Sequence, residues 1–273
     1  MSVKDAVRKI TPRPALRLYR FLRDDAAALL NFITAGDLRL PRAKRIALCA
    51  QLYSISDQIE CPHIQSEVIA FIRTILGLNE AVPGCVVEAG AFKGGSTAKF
   101  SLAARYAGRK LYVFDSFEGI PPNDEPHDKS ITGFDVKFPA GSYRGGLDEV
   151  RSNLARCGAP EVCELVPGWF ADTLPRFHEI VAAAYLDVDL ASSTRTCIKH
   201  LYPLLSPGGA LYSQDGHLPL VLDVFNDDAL WRDLGTVKPK IEGFGESKLL
   251  RVVKPQFGTP ISTVSSLNSW SNV

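Results

Sequence analysis

The residues best placed to do chemistry sit where apolar runs give way to acids and glycines. Val86-Val87-Glu88-Ala89-Gly90-Ala91-Phe92-Lys93-Gly94-Gly95-Ser96-Thr97 is an apolar run, a glycine turn and a helix-compatible segment. Glycine lets a ligand approach such a turn closely, and strand–loop–helix units are where α/β proteins hold nucleotides. The loop lacks G-x-G-x-x-G and opens with Glu88. A carboxylate repels a pyrophosphate and attracts a cationic amine. That favours S-adenosylmethionine (SAM), which carries an amine and a sulfonium. A second apolar run, Lys110–Phe114, ends in Asp115, 25 residues past Gly90. An acid there can accept from both hydroxyls of a ribose; alone, it could equally cap a helix or turn.

A second constellation follows. Ala182-Ala183-Ala184-Tyr185-Leu186-Asp187-Val188-Asp189 is a buried strand ending in two carboxylates. At spacing two they share a face if the strand runs on to Asp189. The next strand, Pro207 to Gln214, leads into Asp215. Ligands of open α/β sheets sit beyond the strands' carboxyl ends. Asp187, Asp189 and Asp215 are therefore expected at one mouth with Glu88 and Asp115. Such crowding calls for a proton or a cation, and an oxygen-rich cluster suits Mg²⁺ or Ca²⁺. The plainer reading is that Asp187 and Asp189 cap the next helix, where Ser192 and Ser193 sit. His217 is a candidate base, ligand or substrate contact. His63, His127, His178 and His200 have no motif around them and are expected to do no chemistry.

The elements that must position these residues alternate. Strands are expected near 84–89, 110–115, 162–166, 181–188 and 209–214, with two more near 235–241 and 247–254. Helices fall near 95–107, 145–157, 170–180, 192–205 and 219–232. This order predicts an α/β fold with a mostly parallel sheet covered on both faces. Three helices precede it: Pro14 to about Ala35, Pro41–Ile59 and Gln65–Leu78. Residues 1–80 read as a helical extension, 81–255 as the core domain and 256–273 as a Ser/Thr/Asn-rich tail. Segment 116–144 is long and rich in Gly, Pro and Asp, which predicts a mobile lid.

The net charge of +1 implies no nucleic-acid partner. Residues 1–50 nonetheless hold 11 Lys/Arg against 4 Asp/Glu. Arg13, Arg17, Arg20 and Arg23 form a basic stripe, read as a solvated face or else as part of a cap over the site, a dimer surface or a membrane-surface contact. Six cysteines with no C-x-x-C pair suit scattered thiols in a reducing cytoplasm. No secretory leader or membrane-spanning stretch is expected.

Together these residues resemble the macrocin O-methyltransferase family of SAM-dependent sugar methyltransferases. The matching pieces are Val87–Gly90 with Gly94–Ser96, Phe114-Asp115-Ser116-Phe117-Glu118-Gly119-Ile120-Pro121, Gly168–Pro175, Leu186–Leu190 and Leu201–Gly209. The resemblance implies a Rossmann-like class I methyltransferase fold with seven strands, and methyl transfer to a hydroxyl of a sugar or similar metabolite. It implies that Glu88, Ala89, Gly90, Gly94 and Ser96 hold the methionine part of SAM. Asp115 would take the ribose, with Ser116 and Phe117 beside the adenosine. Gly168, Trp169 and Asp187 complete the implied cofactor set, and Asp172 flanks the adenine side. It further implies a metal on Asp187, Gln214 and Asp215, with Asp189 as base. Gln214 stands where the family has an acid, and Gly216-His217 replace its usual aromatic residue. Two rival readings remain: a SAM-fold protein that binds a partner without catalysis, and a nicotinamide dehydrogenase, which Glu88 disfavours.

Overall fold

The computed structural model describes residues 21–256. The start of the first expected helix, Arg13, Arg17 and Arg20, and the tail from 257 lie outside the described residues. After a short π-helical turn at Phe21–Asp25 come α1 (Ala26–Thr34), α2 (Arg42–Gln58) and α3 (Gln65–Gly77). Then follow β1 (Cys85–Ala89), α4 (Gly95–Ala107), β2 (Leu111–Asp115), α5 (Leu147–Cys157), β3 (Cys163–Pro167) and α6 (Phe170–Thr173). The chain continues through β4 (Val181–Leu186), α7 (Ala191–Leu204), β5 (Leu205–Ser213), α8 (Pro219–Asn226), α9 (Asp228–Asp233), β6 (Ile241–Glu242) and β7 (Leu250–Val253).

The sheet has seven strands in the order β3-β2-β1-β4-β5-β7-β6. β1 to β5 are parallel, whereas β7 runs antiparallel to both β5 and β6. The order reverses about β1 and β4, which leaves a crevice beyond their carboxyl ends. The α/β, mostly parallel architecture is as the alternating pattern predicts.

Four local expectations differ. β4 stops at Leu186, so Asp187 and Asp189 follow the strand instead of extending it, and Asp189 adopts a left-handed φ of 59°. The strand expected near 235–241 is only the pair Ile241–Glu242. The helix expected over 170–180 is four residues and a 3₁₀ turn, Leu174–Arg176, because Pro175 removes a donor. The helix expected over 219–232 breaks at Asp227, whose carboxylate accepts from Ala229 N at 2.9 Å and starts α9.

Each sheet face has its own apolar layer. Val87, Ala89, Phe114 and Leu211 pack against Ile198, Val221 and Trp231 from α7, α8 and α9. Val86, Val113, Tyr185 and Tyr212 pack against α1 to α4. The helices before β1 therefore share the core of the sheet. Phe71 of α3 joins them: its ring lies 4.8 Å from Phe100, 5.0 Å from Tyr185 and 5.4 Å from Tyr212. Phe71→Ala should cost about 3–5 kcal/mol, the range for removing a buried aromatic ring. Urea unfolding would show it; a loss below about 1 kcal/mol would mean α3 is not held by this cluster.

Candidate functional site

A cavity of about 390 Å³ opens at the carboxyl end of the parallel strands, within the size range of small-molecule sites. Gly90, Asp115, Asp187, Asp189 and Asp215 line it together with Trp169 and His217. Gly90 is required by sterics as well as by its φ of 89°: a Cβ there would lie 1.9 Å from the Asp187 carbonyl oxygen. The loop after β1 can thus lie directly against the end of β4.

Asp115 ends β2 and braces that loop. Its Oδ2 accepts from Ala91 N at 2.7 Å and its Oδ1 from Phe117 N at 2.6 Å. Burial raises its pKa, while these backbone donors oppose the rise. Ser116 lines the cavity beside it, but Phe117 turns into the core on the helical side. Gly168 N donates to the Asp115 carbonyl at 2.9 Å and leads into Trp169.

Segment 116–144, read from its length as a lid, contributes to the lining of the cavity. Ile120, Phe134, Phe138 and Tyr143 come from it. It is tied down at Glu125, whose two carboxylate oxygens accept from Ala191 N and Ser192 N at 2.8 and 2.9 Å. The segment itself, rather than Asp187 or Asp189, thereby supplies the acid at the start of α7. His127, expected to have no role, contacts Glu125 at 3.1 Å.

His63 is the residue that motif reasoning missed. It is buried in the turn before α3, and its Nε2 lies 2.9 Å from Asp187 Oδ2. Burial alone would lower its pKa; the Asp187 charge and hydrogen bond, with Cys61 nearby, outweigh this and raise it to about 10. Asp187 is correspondingly lowered: burial opposes, and the His63 charge and hydrogen bond prevail. Behind His63 lie Cys61 Sγ, 3.8 Å from Nδ1, and the buried Lys99, 3.5 Å from that sulfur.

The other acids are held differently. Asp215 Oδ2 accepts from the backbone N–H groups of Val188 and Asp189, both at 3.0 Å. Burial and the Asp187 charge push its pKa to about 7. The Asp189 carboxylate makes no hydrogen bond among the described residues. Burial, then Asp215 and Asp187, raise its pKa well above the usual carboxylate range. His217 is lowered to about 4 by burial and by Lys248, so it stays neutral near pH 7.

Several expected site residues stand away from the cavity. Glu88 is fully buried on the helical side, beneath Ser96 and Thr97 at the start of α4. Neither of its oxygens is within hydrogen-bond geometry of a partner, although the nearby Ser96 and Thr97 hydroxyls oppose the rise in its pKa. Ala89 is buried on the opposite face, and Gly94 starts α4 behind the cavity. Asp172 sits on α6 and does not line it.

The expected metal set does not assemble. Gln214 faces the opposite side of the sheet from Asp215: its Oε1 accepts from Tyr185 OH at 2.5 Å, and its Nε2 donates to Glu67 Oε2 at 2.7 Å. Its amide is consumed in fastening α3 to β4 and β5. Asp187 Oδ2 is held by His63 and Asp215 Oδ2 by backbone. Among the described residues no three His, Cys, Asp or Glu side chains form a metal-holding group. Gln214 is thus no third ligand beside Asp187 and Asp215, and the Mg²⁺ expectation finds no support in this arrangement.

Against this geometry, the family model for Macrocin-O-methyltransferase (TylF) matches residues 66–224. The chain belongs to that family. A Streptomyces olivaceus relative, 8-demethyl-8-(2,3-dimethoxy-alpha-L-rhamnosyl)-tetracenomycin-C 4'-O-methyltransferase, is 33% identical over 161 residues, covering 57% of this chain and 61% of the relative. Mycinamicin III 3''-O-methyltransferase of Micromonospora griseorubida is 32% identical over 154 residues, covering 52% and 59%. The chain thus spans about three-fifths of the length of these macrocin-family relatives. Among solved structures, the O-methyltransferase NovP superposes with a TM-score of 0.56 at 25% identity, covering 69% of this chain and 78% of NovP. Calicheamicin methyltransferase CalS11 shares the fold at a TM-score of 0.50 and 17% identity, covering 87% and 94%. His63 lies just outside the matched segment, which accounts for the silence of family motifs about it.

Burial raises the Glu88 pKa from 4.5 to about 8. An acid with a raised folded pKa binds more protons folded than unfolded, so stability falls as pH rises between about 4.5 and 8. The slope is at most about 1.4 kcal/mol per pH unit. Glu88→Gln should flatten that fall, measured as urea midpoints at pH 5 and pH 8. Equal pH dependence in the two proteins would show that Glu88 ionises as freely folded as unfolded.

Proposed function

We propose that this chain binds SAM in the cavity and transfers its methyl group to a hydroxyl of a sugar or similar small metabolite. The observation that carries the reading is one cavity holding two differently prepared acids: Asp115, fixed by backbone donors at the loop after β1, and Asp189, without a hydrogen bond, across from it. Membership of a methyltransferase family supports it, and so do the sugar-modifying names of the relatives.

SAM, when bound, supplies a methyl group on a sulfonium already primed for displacement. The chain's residues do the rest. Asp115 is assigned to the ribose hydroxyls, with Ser116 and Trp169 beside the nucleoside. Gly90 lets the ligand approach the backbone. Asp189 receives the acceptor's proton as the oxygen–carbon bond forms and sulfur keeps the electron pair of the broken bond. Burial, Asp215 and Asp187 raise the proton affinity of Asp189, while the charges of Lys248 and His63 favour its ionised form. His217, neutral and lining the cavity, is placed to contact the acceptor. Segment 116–144 excludes water. No helix among the described residues is long and apolar enough to cross a membrane. Six unpaired cysteines support a reducing, cytoplasmic setting.

Asp115→Ala should weaken SAM binding by about 1.5–3 kcal/mol, the worth of hydrogen bonds to a charged group. Asp189→Asn should leave SAM affinity nearly intact and lose production of S-adenosylhomocysteine with a panel of sugar acceptors. Calorimetry and product analysis read the two effects. Unchanged SAM affinity in Asp115→Ala, or full turnover in Asp189→Asn, would remove that residue from its assigned role.

A further inference from the structure

Three carboxylates at one mouth require positive charge, and His63 pairs directly with Asp187 while acting on Asp189 only through its charge. Lys248 lines the same cavity from the connection between β6 and β7. Among the described residues its ammonium has no hydrogen bond or ion pair. Its backbone is fixed: Gly216 N donates to the Lys248 carbonyl at 2.8 Å. That approach requires a glycine, because a Cβ on Gly216 would lie 2.6 Å from the Ser247 carbonyl oxygen. The glycine after Asp215 thus lets the β6–β7 connection close against the acidic mouth. The Lys248 charge acts on Asp187, Asp189 and Asp215, favouring the ionised form of each. It also disfavours a charge on His217 and favours ionisation of Tyr143.

We propose that Lys248 supplies from within the chain the cation at the acidic mouth, facing Asp189 and the acceptor oxygen, in place of a divalent metal. The inference rests on the methyltransferase reading above for its acceptor, but its charge geometry stands separately. Gln214 turned inward, Gly216 admitting the hairpin and Lys248 lining the same cavity as the acids are three parts of one exchange: a ligand charge removed and an internal cation brought in. Lys248 lies beyond the segment that matches the family.

The test uses Mn²⁺ as probe on the SAM-loaded protein, followed by paramagnetic resonance. Wild type should show no saturable Mn²⁺ binding up to about 1 mM, the weak end for oxygen-ligated sites. Lys248→Gln should open the mouth and bind Mn²⁺ below that concentration. Lys248→Arg, which keeps the charge, should exclude it again. SAM binding by both variants confirms that they fold. Saturable Mn²⁺ binding by wild type, or a Lys248→Gln protein as indifferent to Mn²⁺ as wild type, would overturn the proposal. Failure of wild type to bind SAM would instead overturn the functional reading, before any metal is added.

Discussion

Repulsion among carboxylates is the constraint on which this site depends. Asp187, Asp189 and Asp215 line one cavity at the end of β4 and β5. Like charges in a partly desolvated site cannot all ionise without compensation. The fold meets the constraint three ways. His63 gives Asp187 a hydrogen bond from a ring that is 2% exposed. Two backbone N–H groups converge on Asp215. Asp189 is left with neither, and burial with the Asp215 and Asp187 charges raises its proton affinity. Three chemically equal residues thereby become a held anion, a backbone-fixed carboxyl group and a carboxyl group without a hydrogen bond.

That differentiation ties the site to helices that looked peripheral. His63 stands just before α3, and α3 is held to the sheet by Phe71 and by the bridge from Gln214 to Glu67. Loosening α3 would withdraw His63 from Asp187. The Gln214 amide is thus a fastening for the helix behind the residue that pairs with Asp187. On the other side, Glu125 anchors segment 116–144 to α7, next to the turn that carries Asp189.

Much of this was legible. Asp115, Asp187 and Asp215 end apolar runs, and parallel-sheet topology sends the ends of such runs to one crevice. That segment 116–144 lines the cavity was legible from its length and composition. What failed was parity. Adjacent residues on a strand point to opposite faces, so Glu88 and Ala89 of β1 part and Glu88 looks toward α4. Gln214 and Asp215 part in the turn after β5, Gln214 toward Tyr185 and Glu67. Applied to β1, the strand rule could have placed Glu88 beforehand. Asp189 reached the cavity through a left-handed turn, not a continued strand. His63 and Lys248 carried no local signal: Asp187 lies 124 residues from His63, and Lys248 reaches the cavity from the β6–β7 connection. Only the packed fold brings such charges together.

The protonation state of His63 tests the central claim most directly. Nitrogen-15 NMR of the imidazole in cofactor-free protein, followed from pH 6 to 9, reads it without any acceptor or metal. Internal charge balance predicts a doubly protonated ring across that range, losing its proton near pH 10. A ring that titrates near its ordinary value of about 6.5 would show that Asp187 is not paired as described, and the acidic mouth would need its compensating charge from elsewhere.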